Sequence, residues 1–238
     1  MTLESGAMAR ITERLADLAS GAFLTQAVVT AKTPLSAHFV RVELRSDRFR
    51  TASWTPGCKV QLRTDRGTMT MRTYTPFAWD PAEGAVSLVA YLHGTGPAAR
   101  WFDRVKPGDP CELLGPRRSI DLTAAASPLV FVGDETSVGL AAVLGQTRPD
   151  GVTYLLEAAD PAEYTDVLAA LGVTATVVAK TADRHDLLAA ARPDGYDLVV
   201  TGDAATVGPV RRAARDWTPA PGKVVGKAYW AEGRAGLD

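Results

Sequence analysis

Four consecutive residues, Arg72-Thr73-Tyr74-Thr75, bring a cation, an aromatic ring and a hydroxyl together. In a β-strand, residues two apart share a face and lie roughly 7 Å apart, so Arg72 and Tyr74 would project side by side. A guanidinium offers a planar fork of donors to phosphate, and an aromatic ring can stack on a flat ligand. The motif suits an aromatic ligand that carries phosphate. The structural alternative is an exposed arginine beside a barrel tyrosine.

A second segment, His-Gly-Thr-Gly-Pro-Ala-Ala-Arg-Trp at 93–101, contains a glycine turn followed by a helix start. Gly94 and Gly96 allow close approach of the backbone to a ligand. Pro97 suits the first position of a helix, and Ala98 keeps that start uncrowded. Because the N–H groups at a helix N-terminus are free, they form a natural seat for a pyrophosphate. A plain strand-to-helix turn is the structural alternative.

The aromatic residues at the two ends of this segment have structural explanations. We expect His93 to be a hydrogen-bonded structural residue rather than an acid or a base. Trp101 has two equally supported interpretations, which are core packing and a role near the ligand.

A third turn, formed by Gly133, Asp134, Glu135, Thr136 and Ser137, follows an apolar run and precedes a helical pattern. This is the context of a nucleotide-binding turn, although the GxGxxG fingerprint is absent. The two acidic residues would repel a phosphate, and Thr136 or Ser137 could cap the helix instead.

Gly202 and Asp203, within Val-Thr-Gly-Asp-Ala at 200–204, repeat this arrangement after a later strand. In a parallel sheet the two turns would lie on the same edge, where such sheets bind ligands.

The first half of the chain is predicted to form an antiparallel β-barrel. Short runs of alternating apolar and polar residues are separated by turn signals, which is typical of that architecture. The predicted strands are Ala37–Arg45, Lys59–Arg63, Met69–Thr75 and Ala85–Leu92.

The second half alternates strands with helices, which predicts an α/β domain with a parallel sheet. Its predicted strands are Pro128–Val132, Val152–Leu156, Val173–Val178 and Asp197–Val200. Helical patterns follow at Leu140–Leu144, Pro161–Leu171, Asp183–Ala191 and Ala204–Asp216. The expected division is a helical extension at 1–22 (amphipathic over Ala7–Ser20), a barrel at 23–126 and the α/β domain at 127–238. The linker would lie at Ala124–Ser127.

Composition limits the classes of partner. The 238 residues carry a net charge of −1, so we expect neither nucleic-acid binding nor membrane insertion. Two cysteines, Cys58 and Cys111, and three histidines provide no recognisable metal site. Buried free thiols are expected, and a disulfide between them lacks support. The chain has no apolar run of 18 residues or more and no signal-peptide pattern, so we expect a cytoplasmic protein.

Together and in this order, the motifs resemble the siderophore-interacting family within the ferredoxin-reductase-like flavoproteins. The family pattern runs Arg-x-Tyr-Thr, His-Gly-x-Gly-Pro-Ala with a following Trp, Gly-Pro, Gly-Asp-Glu-Thr, and a late Tyr-Trp followed by a glycine. In this chain the Gly-Pro is Gly115-Pro116, and the last elements are Tyr229, Trp230 and Gly233. The resemblance covers residues 24 to 235.

The resemblance implies an FAD-binding barrel and an α/β domain that binds NADH or NADPH. Tyr74 would lie against the isoalloxazine, and Thr75, the expected catalytic residue, would lie near its reactive nitrogen. The residues implied for FAD are Arg72, Thr73, Tyr74, Thr75, His93, Gly94, Gly96, Pro97 and Ala98. Those implied for the nicotinamide nucleotide are Gly133, Asp134, Glu135, Thr136, Ser137, Gly202 and Asp203. Trp230 is expected to contact a cofactor.

Three positions depart from the family pattern. Phe77 and Ala231 stand where the family often has arginine, and Ala228 replaces a glycine. A cationic mouth would attract an anionic ferric siderophore. Lys227 and Arg117 are the expected substrate contacts, and Arg118 and Lys223 could add to them.

The leading hypothesis is an NAD(P)H-dependent flavin oxidoreductase that reduces a ferric siderophore and releases iron(II). The alternatives are a reductase serving a redox protein or a quinone, and a non-catalytic module holding flavin or an iron chelate. Glu157 and Asp160, near the end of the second α/β strand, favour NADH weakly. We expect a monomer or a weak homo-oligomer.

Overall fold

The computed structural model describes residues 24–65, 68, 70–122 and 128–233. Within these ranges the chain forms a seven-stranded antiparallel sheet followed by a five-stranded parallel sheet. The two-part architecture predicted from the sequence is therefore confirmed. The helix predicted at Ala7–Ser20 and the linker predicted at Ala124–Ser127 lie outside the described residues.

The antiparallel sheet is barrel-like but open. Its strands are β1 (Thr25–Pro34), β2 (Phe39–Arg45), β3 (Lys59–Arg63), β4 (Met71–Tyr74), β5 (Ala78–Asp80), β6 (Ala85–Tyr91) and β7 (Pro110–Arg117). They pair in the order β4-β3-β7-β1-β2-β6-β5, so β4 and β5 are the two end strands. On β2 the alternation produces the expected division, with Val42 and Leu44 buried and Arg45 exposed.

One helix, α1 (Pro97–Arg104), crosses from β6 to β7, and a short 3-10 helix spans Asp47–Arg50. Gly96 is the N-cap of α1 and Pro97 occupies its first turn, as the glycine-proline pattern predicts. Trp101 and Phe102 on α1 are buried in the barrel core, so core packing accounts for Trp101.

The parallel sheet consists of β8 (Leu129–Gly133), β9 (Val152–Ala158), β10 (Thr176–Ala179), β11 (Asp197–Asp203) and β12 (Val224–Trp230). The helices are α2 (Val138–Thr147), α3 (Pro161–Ala170), α4 (His185–Ala189) and α5 (Ala204–Ala213), with a 3-10 turn at Glu135–Ser137. The strand order is β10-β9-β8-β11-β12, so the order reverses between β8 and β11. Ligands of such sheets bind outside the carboxyl ends of the strands at this point.

The two sheets share a hydrophobic core. One cluster joins Phe39 and Val89 of the antiparallel part to Val138 on α2 and Tyr164 on α3. The rings of Phe39 and Tyr164 stack with their centroids 5.4 Å apart. At the edge of this contact, the backbone N–H of His38 donates to Glu163 over 2.8 Å. The cleft between the two sheets therefore has fixed walls.

Two further observations bear on the sequence expectations. Cys58 and Cys111 are buried and free, as predicted. None of the helices within the described ranges is long and apolar enough to span a bilayer.

Candidate functional site

A cavity of about 660 Å³ lies between the two sheets. Most of its lining comes from three places, namely β4, the start of α1, and the end of β12 together with the residues after it. The lining includes Arg72, Thr73, Tyr74, Thr75, Gly96, Pro97, Ala98, Ala99, Thr136, Gly139 and residues 227–233. This volume lies within the range of small-molecule and cofactor pockets, which is about 300–1,000 Å³.

Arg72 and Tyr74 lie in the wall of this one cavity, as strand spacing predicts. The ring of Tyr74 packs edge-on against Phe102, with centroids 5.3 Å apart. Burial raises the pKa of Tyr74, outweighing the opposite effect of Arg72, so the phenol is neutral. Arg72 donates from Nη1 to the Met71 carbonyl over 2.8 Å, which holds its guanidinium along the strand. The strand therefore presents a positioned cation beside an uncharged ring.

The glycine turn before α1 is open on its outer side. A Cβ placed on Gly94 (φ +62°) or on Gly96 would meet nothing within 4 Å. No side chain caps the start of α1, and the first-turn residues Ala98 and Ala99 line the cavity. Uncapped N–H groups beside open space match the needs of a diphosphate. This arrangement fits the pyrophosphate of FAD.

The third turn is organised around Asp134, whose exposed fraction is 0%. Its Oδ1 accepts from the backbone N–H of Thr136 over 2.9 Å. Its Oδ2 accepts from the Asp203 N–H over 3.0 Å and from Nε1 of Trp230 over 2.8 Å. The carboxylate therefore joins the ends of β8, β11 and β12 from beneath the cavity wall.

Of the seven residues predicted to bind the nicotinamide nucleotide, Thr136 reaches the cavity wall. The side chains of Asp134, Glu135, Ser137 and Asp203 are buried beneath it. The carboxylate of Asp134 fills the space beside Gly202, where a Cβ would lie 2.5 Å from Oδ1. Gly133 is likewise closed in by Ser137, 2.8 Å from the position of a Cβ. These residues therefore hold the turn in place instead of facing the cavity.

Lys180 neutralises part of this buried charge, although the sequence analysis did not identify it. Its Nζ lies 3.2 Å from Asp203 and 3.7 Å from Asp134. The same ammonium lies 4.6 Å from the centroid of the Trp230 ring, a cation–π contact. The available signal was its position directly after β10, at the carboxyl edge of the sheet.

A second buried group surrounds Glu157, on the neighbouring strand β9. The Thr206 hydroxyl donates to Oε1 of Glu157, and Nε of Arg184 lies 3.6 Å from the same atom. Asp160 is the N-cap of α3 and accepts from the Glu163 N–H over 3.0 Å. Glu157 and Asp160 are both engaged within the protein and lie outside the cavity lining. The weak preference for NADH that rested on these two residues therefore loses its basis.

Burial raises the pKa of Glu157, and it outweighs the lowering effects of Thr206, Arg184 and Lys180. The folded protein therefore binds this proton more tightly than the unfolded chain does. We expect the free energy of unfolding to fall as pH rises from the ordinary glutamate pKa through the raised value. Glu157→Gln should lack this pH-dependent loss. Urea unfolding at a series of pH values checks it, and parallel pH profiles for the two proteins would contradict it.

The end of β12 closes the cavity with aromatic residues. Trp230 lies beside His93, with ring centroids 5.9 Å apart, and His93 stacks on Tyr91 at 5.7 Å. His93 thus belongs to an aromatic row that links the antiparallel sheet to β12. The packing contacts of His93 are with these rings, and His93 also lines the cavity. Its contact with FAD stays a prediction.

Cations lie in part of the cavity wall. Lys59, Arg72 and Lys227 line it, and Lys227 donates to Oγ of Ser119 over 3.0 Å. Lys59 was not singled out from the sequence. Arg117, the other expected substrate contact, lies opposite Lys59 in the β3–β7 ladder but outside the cavity lining.

The departures from the family pattern fall in different environments. Ala231 lines the cavity, so an alanine occupies wall surface where the family often has a cation. Phe77 is buried, and the Arg41 guanidinium lies 5.3 Å from its ring centroid. Phe77 therefore contributes to the core rather than to the cavity. Within the described residues, no group of three His, Cys, Asp or Glu side chains is placed to hold a metal ion.

Solved structures share this architecture, which is the two-domain, ferredoxin-reductase-like fold. A siderophore utilization protein from T. fusca superposes with a TM-score of 0.76 at 22% identity, covering 90% of this chain and 95% of that one. Phthalate dioxygenase reductase superposes with a TM-score of 0.69 at 16% identity, covering 89% of this chain and 70% of that one. At these identities the likeness establishes the fold.

The family comparison is more specific for the barrel. Residues 59–120 match the family model of the siderophore-interacting FAD-binding domain. The siderophore-interacting protein of Aeromonas hydrophila has a TM-score of 0.74 at 21% identity, over 90% of this chain and 93% of that one. No curated protein sequence matches the chain. The predicted resemblance to the siderophore-interacting family is thereby confirmed, and residues 59–120 are the segment that is similar to the FAD-binding domain.

Proposed function

We propose that this protein is an FAD-dependent oxidoreductase that passes electrons from NADH or NADPH to a ferric siderophore and releases iron(II). The observation that carries the proposal is the single cavity bounded by Arg72–Thr75 and the open start of α1, both within the segment that matches an FAD-binding domain. The siderophore-interacting names of the relatives support the choice of acceptor.

Four features of the cavity would hold FAD. Arg72 supplies a fixed cation for the diphosphate, and the first turn of α1 supplies backbone donors. Tyr74 supplies a neutral flat ring, and the hydroxyl and backbone of Thr75 lie next to it along the chain. When bound, FAD would supply the chemistry, which is acceptance of a hydride from a reduced nicotinamide and single-electron transfer to an acceptor such as chelated iron(III). The residues of the chain position the reactants and shield them from water.

The nicotinamide nucleotide would enter from the α/β side. On that side, the cavity is lined by residues 227–233, Thr136 and Gly139. Because Lys180 and protein donors partly offset the charges of Asp134 and Asp203, these carboxylates repel an incoming diphosphate less than free carboxylates would. Iron(II) is held less tightly than iron(III) by hard oxygen chelators, so reduction releases the metal.

The visible absorption spectrum of the purified protein, before and after anaerobic addition of NADH or NADPH, tests the proposal. We expect a flavin spectrum that bleaches with at least one nucleotide and recovers when ferric siderophore is added. A colourless protein that does not bind added FAD would rule out every flavin-based function. A flavin spectrum that bleaches but does not recover with any ferric chelate would reject the siderophore as the acceptor and leave the flavin assignment intact.

Replacing Arg72 with alanine is expected to weaken FAD binding by roughly 10- to 150-fold. A hydrogen bond to a charged group contributes about 1.5–3 kcal/mol, and each 1.4 kcal/mol is a factor of ten. Arg72→Lys should recover part of the loss, because an ammonium keeps the charge without the planar fork. FAD titration of the apoprotein gives the affinity, and its thermal unfolding checks the fold. Arg117→Ala is the matched control and should bind FAD normally.

A second candidate function is a reductase that serves another acceptor, such as a redox protein or a quinone. It is favoured by Ala231, which leaves part of the cavity wall without the cation that an anionic siderophore would use. Comparing steady-state turnover with ferric siderophores and with quinones separates the two functions. Faster turnover with quinones, with no rate above background on any iron chelate, would favour the second.

A further inference from the structure

Trp230 is the last residue of β12, an edge strand of the parallel sheet. The pairing of β12 with β11 shifts register at this point, because Asp203 pairs with Trp230 directly after Gly202 pairs with Ala228. Tyr229 is therefore an extra residue, as in a β-bulge, which re-aims the side chains near it. The end of an edge strand has little backbone restraint. The position of the Trp230 ring consequently depends on its side-chain contacts.

Three contacts hold this ring in the cavity wall. Nε1 of Trp230 donates to Oδ2 of Asp134 over 2.8 Å. The Lys180 ammonium lies over the ring, 4.6 Å from its centroid. The imidazole of His93 has its centroid 5.9 Å away, with an interplanar angle of 36°. A single hydrogen bond fixes one atom of an indole and leaves the ring free to tilt about it, so the contact over its face restrains its plane.

Lys180 is itself held by two carboxylates. Its Nζ lies 3.2 Å from Oδ2 of Asp203 and 3.7 Å from Oδ2 of Asp134. The second of these oxygens is the acceptor of the Trp230 N–H, so Lys180 acts on the ring directly and through its hydrogen-bond partner. The Lys180 side chain is 21% exposed, and a cation–π contact is stronger when the cation is desolvated.

Arg184 provides Asp203 with a second cation. Its Nη2 lies 3.5 Å from the Oδ2 atom that also faces Lys180, and its Nε donates to the Thr206 hydroxyl over 2.6 Å. Of these two cations, Lys180 is the one that lies over the Trp230 ring. Asp203 would keep a cationic neighbour without Lys180, so charge compensation alone does not explain where the ammonium lies.

We propose that Lys180 is a positioning residue, which fixes the Trp230 ring in the cavity wall before the cofactor binds. The inference rests on the proposed function in one respect, which is that the cavity holds FAD. Trp230 lines the cavity whereas Lys180 lies outside its lining, so Lys180 acts through the ring. A ring that is already held loses less conformational freedom when a flat ligand packs against it, which strengthens binding.

The first test uses near-ultraviolet circular dichroism of the flavin-free protein, which reports aromatic rings in fixed surroundings. The difference between the wild type and Trp230→Phe isolates the signal of the Trp230 indole. The same difference measured in a Lys180→Met background should fall to about half or less, because the ring becomes mobile. Lys180→Arg should keep most of the signal, since a guanidinium also binds an aromatic face. An undiminished signal in the Lys180→Met background would overturn the proposal.

The second test is FAD titration of the apoprotein. We expect Lys180→Met to weaken FAD binding roughly 2- to 30-fold, the range that a cation–π contact contributes to an equilibrium constant. In a Trp230→Leu background, which has no ring to hold, Lys180→Met should have no further effect. The same loss in both backgrounds would show that Lys180 does not act through Trp230.

Arg192→Met is the matched control. It also removes a cation from an aromatic face, because the Arg192 guanidinium lies 3.9 Å from the centroid of the Trp217 ring, but both residues lie outside the cavity lining. FAD affinity should stay normal in this variant, and a loss equal to that of Lys180→Met would contradict the proposal.

The two tests separate the inference from the proposed function. A protein that binds no FAD would reject the proposed function, and the circular dichroism of the flavin-free protein would still decide the role of Lys180. Urea unfolding checks that each variant is folded. If Lys180→Met does not fold, Lys180→Gln takes its place, because its amide keeps a donor for Asp203 but carries no charge.

Discussion

Replacing Asp134 with alanine is expected to destabilise the protein by about 3–5 kcal/mol, because each buried donor left without its acceptor costs about 1–3 kcal/mol. The substitution leaves the backbone N–H groups of Thr136 and Asp203 and the Trp230 indole without their acceptor. It also removes one of the two carboxylates near Lys180. The ends of three strands would lose their common attachment at once.

Urea unfolding monitored by circular dichroism measures this loss. Asp160→Ala is the matched control, because Asp160 also caps a helix start but lies on the surface. Loss of such a cap costs typically about 1 kcal/mol. Asp134→Asn keeps one carbonyl acceptor and should fall between the wild type and Asp134→Ala, which makes the test informative even if the alanine variant does not fold. Equal losses for Asp134→Ala and Asp160→Ala would show that the buried contacts contribute little.

Gly202→Ala is expected to cost about 3 kcal/mol or more, since two separate effects add. Gly202 has φ +108°, in the region that disfavours residues with a Cβ. The added Cβ would also lie 2.5 Å from Oδ1 of Asp134, whose carboxylate is held by several donors and cannot move aside cheaply. Steric conflict and backbone strain therefore fall on the same buried network.

Gly172→Ala separates these two effects. Gly172 also has a positive φ, +77°, but a Cβ there would meet nothing within 4 Å. Strain alone should cost this variant about 1–2 kcal/mol. The difference in the free energy of unfolding between the two variants then measures the conflict with Asp134. Similar losses would mean that the Asp134 side chain can relax around a methyl group.

The sequence predicts the two-part architecture because alternation and apolar runs depend on residues close together in the chain. The strand β3 was predicted at its observed bounds, Lys59–Arg63. Four strands gave no such signal. A register shift between Val29 and Ala31 breaks the alternation of β1, and β5 has only three residues. β7 contains two prolines and a glycine, and β12 is intermediate in burial over most of its length.

The residues of the candidate site could likewise be predicted from the sequence only where their geometry is local. The spacing within Arg72–Thr75 places these residues in one wall because a single strand fixes their geometry. The inward role of Asp134 could not be predicted, since its partners Asp203 and Trp230 are 69 and 96 residues further along the chain. Lys180 escaped notice for the same reason, because its significance depends on which strands are neighbours in the sheet. An isolated lysine carries no local pattern.

The position of β12 has a consequence for biosynthesis. This strand and the residues after it, 227–233, supply one whole wall of the cavity, yet they are translated after every other described element. A nascent chain that has been synthesised only as far as β11 still lacks this wall, including Tyr229 and Trp230. Capture of the flavin in its final environment therefore follows synthesis of this last strand, and until then the surface of the cavity is open to solvent and to chaperones.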